Sequence, residues 1–86
     1  MGIQVHVEND EFTRKGGVLK ETTNTRWRWI EEIQDEVQEE VIATLYQFPS
    51  GLVAISYHPD ALVFDMRPNM QFVDELNAMG VPFTQS

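Results

Sequence analysis

The chain contains no cysteine, which removes disulfides, thiolate zinc sites and cysteine nucleophiles from its chemistry. No stretch approaches the roughly 18 consecutive apolar residues that a membrane-spanning helix needs, and the opening MGIQVHVEND lacks the basic-then-apolar order of a secretory leader. The expectation is a cytoplasmic protein with no membrane partner. Histidine is scarce, with His6 on the polar side of a short alternating segment and His58 opening a turn. No Glu-x-x-His pair or alternating Asp/Asn loop with a central glycine is present to hold a metal. Ser50 and Ser56 lack the glycine context of a nucleophile elbow, and no glycine-rich loop opens a helix to cradle phosphate. These absences predict a non-enzymatic protein with no cofactor and no metal.

Positive charge is also in short supply. Residues 1–28 carry five of the six basic side chains, Arg14, Lys15, Lys20, Arg26 and Arg28, against four acids; residues 29–86 carry ten acids against Arg67 alone. The net charge is −8. An acidic surface of this kind repels nucleic acid and anionic membranes and attracts basic partners. Direct nucleic-acid binding is not expected, and a basic protein partner is.

What is present is the composition of a folded domain. With 86 residues, 42% of them hydrophobic and nine aromatic, the chain has material for one modest core, so residues 1–86 are read as a single domain. The run IQVHV alternates as a strand with one buried face. EFTRK and VLKE flank Gly16-Gly17 and suggest a loose hairpin. VIATLYQF, LVAISYH and LVFDM are separated by Phe48-Pro49-Ser50-Gly51 and His58-Pro59-Asp60-Ala61, which reads as a meander whose middle strand is covered on both sides. Phe72, Val73, Leu76 and Met79 recur at helical spacing between Asn69 and Gly80, predicting a short C-terminal helix over about 69–79. Residues 81–86 read as a tail, either loosely docked or adding an edge strand through Val81 and Phe83.

The most unusual stretch is WIEEIQDEVQEEV, residues 29–41, with six carboxylates and no basic residue. On a helix, Ile30, Ile33, Val37 and Val41 fall within a sector of about 80°. The spacing therefore predicts an acidic amphipathic helix over about 26–40. Its acids would form two rows, Glu31-Asp35-Glu39 and Glu32-Glu36-Glu40, whose like-charge i,i+4 pairs each cost about 0.2–0.5 kcal/mol. The fold class expected is thus α+β: an antiparallel sheet of three to five strands carrying this helix and the C-terminal one.

A helix that works against its own stability suggests a surface awaiting a basic partner. Carboxylates repeating every ~6 Å along such a helix approximate phosphate spacing and suit a Lys- and Arg-lined groove. The function expected is a small acidic inhibitor or nucleic-acid-mimicking decoy, as phages and mobile elements carry, binding a basic groove of a larger nucleic-acid-handling or defence protein. Its partner-binding residues would be Glu31, Glu32, Asp35, Glu36, Glu39 and Glu40, with Trp27 and Trp29 as aromatic anchors. The alternative is a self-associating structural or accessory subunit. In that reading the acids form a solvated face, and the apolar excess of VIATLYQFPSGLVAISY is shared with a second copy in a homodimer.

Overall fold

A computed structural model of the chain describes residues 3–86. Strand β1 (Gln4–Glu8) follows the alternation of IQVHV and buries Val5 and Val7 completely. The chain then turns into α1 (Asn9–Arg14), where the sequence suggested half of a hairpin. This six-residue helix suffices to drive Phe12 into the core, edge-on to Tyr46 and Phe48 at centroid distances of 5.4 and 5.1 Å. The two glycines end this helix. Gly16 takes φ +96°, and a Cβ on Gly17 would overlap the Phe12 ring.

The acidic helix expected over about 26–40 does not form. Residues 26–40 belong to a long antiparallel hairpin, β2 (Val18–Ile30) and β3 (Asp35–Gln47), closed by the turn 31–34. Two physical reasons favour the ribbon. A helix would stack like carboxylates four residues apart, whereas the hairpin sets Arg26 directly opposite Glu39. Moreover, Thr22, Thr23, Thr25, Trp27, Trp29, Val37, Val41 and Ile42 are β-branched or aromatic residues, which prefer a pleated strand.

Gly51 closes the turn after β3, its N–H donating to the Phe48 carbonyl at 2.9 Å, and β4 (Val53–Ser56) pairs back on β3 as the sequence suggested. The meander stops there. The chain crosses at residues 57–60 into β5 (Ala61–Asp65), which pairs with β1 rather than with β4. Ser56 fixes this corner: its buried hydroxyl donates to the Ala61 carbonyl and accepts from the N–H groups of His58 and Val63. The expected single sheet is therefore two three-stranded antiparallel sheets, β5-β1-β6 and β2-β3-β4. β4 is an edge strand rather than a covered middle one, with Val53 and Ile55 47% and 43% exposed.

Helix α2 (Met70–Met79) stands where its periodicity placed it and ends at Gly80 in the left-handed conformation. Asn69 holds the N-cap position, but its side chain donates to the Asp65 carbonyl instead of capping the helix. Beyond it Val81 is buried, and β6 (Thr84–Gln85) pairs with β1. The architecture is α+β, with a core of Val5, Val7, Phe12, Tyr46, Phe48, Leu62, Val73 and Leu76 joining both sheets and both helices.

Candidate functional site

The core covers only the base of the β2–β3 hairpin. β4 accompanies β3 no further than the Thr44↔Ser56 pair, while β2 and β3 remain paired from Asn24↔Val41 out to Ile30↔Asp35. Residues 24–41 therefore stand out as a two-stranded arm. At ~3.4 Å per residue, the 13 residues of β2 or of β3 span roughly 44 Å, which accounts for the molecule's 47 Å long axis beside widths of 29 and 19 Å.

Pairing assigns every side chain of the arm to a face, since cross-strand partners point the same way and neighbours along a strand alternate. One face carries Asn24, Arg26, Arg28 and Ile30 with Asp35, Val37, Glu39 and Val41. Glu39 is central to it, receiving Nε of Arg26 and Nε of Arg28 at 3.2 Å each on its two carboxylate oxygens. Tyr57 lies over the same face: its hydroxyl accepts from the Asn24 amide at 2.8 Å, and the Arg26 guanidinium sits 5.8 Å from its ring centre. This face satisfies its own charges.

The opposite face differs. It carries Thr25, Trp27 and Trp29 across from Glu40, Gln38 and Glu36, and the indoles are 65% and 55% exposed. The Trp29 indole N–H donates to Glu31 at 2.8 Å, tying that ring to the turn. Glu31, Glu32, Ile33 and Gln34 form the tip, with Gln34 at φ +50° and its N–H donating back to the Glu31 carbonyl. Ile33, expected in an apolar helical stripe, is instead 61% exposed.

The eight residues singled out from the sequence thus all lie on the arm, but not as one surface. Glu36, Glu40, Trp27 and Trp29 share a face; Glu31 and Glu32 occupy the tip; Asp35 and Glu39 lie behind, Glu39 already paired. The partner-binding residues expected from the sequence leave out Arg26, Arg28, Asn24 and Tyr57, which the fold brings into this assembly. The available signal was the strict alternation of Arg26-Trp27-Arg28-Trp29, which has a period of two.

Elsewhere the surface is shallow. A depression of about 320 Å³ is lined by residues including Glu21, Thr44, Ser56, Tyr57 and His58. His58 meets the edge of the His6 ring at 5.5 Å, and its Nδ1 accepts from the Asp60 N–H. Among the described residues no three His, Asp or Glu side chains converge to hold a metal ion, and no helix is long and apolar enough to cross a membrane. No protein-family model, curated protein or solved structure matches the chain.

Proposed function

We propose that the chain is a non-enzymatic acidic interaction protein that binds through its arm, inserting the ribbon into a basic groove of a larger nucleic-acid-handling or defence protein. The observation that carries this reading is the arm itself. It holds six carboxylates against two arginines, half of the chain's net −8, and raises two half-exposed indoles with no core behind them. A bare two-stranded ribbon is marginally stable in water, and exposed tryptophans are typical anchors of interfaces. Both features are accounted for by a partner that covers the arm.

The inhibitory mechanism differs from that of an acidic helix. The carboxylates stand in for phosphates on the sides and tip of a ribbon, with Glu31, Glu32, Glu36 and Glu40 presented outward and Glu39 reserved for the arm's own arginines. A groove shaped for a nucleic-acid strand also accepts a ribbon edge-on, and long-range attraction speeds encounter at low salt.

Replacing residues 25–40 by Asn-Gly, so that a two-residue turn joins Asn24 to Val41, tests the reading. The expected result is a folded chain that no longer captures from host lysate the protein which full-length bait retains at low salt and releases at high salt. Undiminished capture by the shortened chain would remove the arm as the binding element.

A second reading rests on β4, an open edge strand bearing exposed Val53 and Ile55. Such an edge can pair with a second copy. A dimer by light scattering that survives both high salt and loss of the arm would favour this subunit reading.

A further inference from the structure

The two faces of the arm use related chemistry, and only one of them is complete. On the Tyr57 side, a carboxylate and an aromatic ring hold arginine: Glu39 binds Arg26 and Arg28, and Arg26 lies over Tyr57. On the tryptophan side the carboxylates and rings recur without any cation. Trp29 stands directly opposite Glu36, and Trp27, opposite Gln38, is diagonal to both Glu36 and Glu40. Every basic residue of the β2–β3 hairpin, Lys20, Arg26 and Arg28, lies on the Tyr57 face by the same pairing. The tryptophan face has none from Leu19 to Trp29 or from Glu36 to Tyr46.

We propose that the tryptophan face of the arm is a receptor for arginine side chains supplied by the partner, on an extended segment with arginine at alternate positions. The inference rests on the arm being the binding element and names the chemistry it recognises. Successive residues on one face of a strand are ~6.8 Å apart, so Trp27 and Trp29 match an Arg-x-Arg repeat laid along β2. Guanidinium suits the site better than ammonium. It is planar, stacks on an indole, is less strongly hydrated, and still presents N–H groups to a neighbouring carboxylate. The bond from Trp29 to Glu31 restrains one of the two rings before anything binds, which lowers the ordering cost of association.

Trp27 and Trp29 are the only tryptophans in the chain, so intrinsic fluorescence reads this face directly. The experiment titrates the full chain with an octapeptide of alternating Arg and Ala, its Lys-Ala counterpart, and a single-stranded oligothymidine. Saturable fluorescence change with the Arg peptide is expected, on the order of threefold or more tighter than with the Lys peptide. Glu36→Gln with Glu40→Gln should weaken it by roughly fivefold to tenfold, whereas Asp74→Asn with Glu75→Gln, an equal loss of charge on α2, should weaken it less than twofold at moderate salt. Circular dichroism of both double variants checks the fold. Equal weakening by the two double variants, equal affinity for Lys and Arg peptides, or a stronger response to the oligonucleotide would each overturn the proposal. Arm-dependent capture of a host protein, together with a silent peptide titration, would reject the arginine face and leave the arm as the binding element.

Discussion

Tyr46 shows how much a single residue does at the base of the arm. Its ring is fully buried against Phe12, and its hydroxyl donates to Asn9 Oδ1 at 2.5 Å, joining β3 to α1. Burial pushes the phenol above its ordinary pKa of 10.0, and the charge of Asp60 adds to the rise. The folded state therefore favours the neutral phenol. Its contribution is complete below the unfolded pKa and declines as pH rises through the raised folded value. The protein should lose thermal stability above about pH 10. Tyr46→Phe should be less stable at pH 7 by about 1 kcal/mol for the lost hydrogen bond, yet show a shallower decline between pH 9 and 11. Parallel alkaline declines in the two proteins would assign the effect to other groups.

At the scale of elements, Glu39 separates the ribbon from the helix that the same residues suggest. On an acidic helix, neutralising Glu39 relieves repulsion; on the ribbon it releases Arg26 and Arg28. Glu39→Gln is expected to speed amide exchange in residues 24–41 by roughly threefold to tenfold, as loss of about 1 kcal/mol locally would do, with exchange in the core unchanged. Slower exchange in the arm would contradict the ribbon. The case also explains which elements could be read in advance. Helix α2 was legible because its apolar residues fit a helical period and Gly80 marks its end, and the β3–β4 turn because Pro49 and Gly51 sit at the positions such a turn requires. The arm was not. Val37 and Val41 lie four apart, a spacing that fits both a helical turn and two strand repeats, and the tip uses Glu-Glu-Ile-Gln with no glycine or asparagine to announce a turn. Placing Gln34 in the left-handed region is costly for a side chain and invisible to local propensity. The candidate site was therefore legible as a set of residues and illegible as a surface, because the division into faces depends on cross-strand register.

The whole molecule consists of a compact base and a projecting arm, and its charge is shared between them. The arm carries a net −4 in residues 24–41, leaving −4 on the remainder, where Arg14, Lys15, Lys20 and Arg67 face eight acids. Neither part is basic, so a second copy is a poor electrostatic match for the arm and a basic partner a good one. The functional account depends on residues 24–41 being an uncovered antiparallel ribbon that sorts its carboxylates and indoles onto different faces. The most direct test is solution NMR of the free protein, reading backbone shifts and cross-strand Hα–Hα contacts through these residues. The account predicts extended shifts over 24–30 and 35–41, with contacts in the Asn24↔Val41 to Ile30↔Asp35 register; helical shifts running unbroken through 26–40 would contradict it.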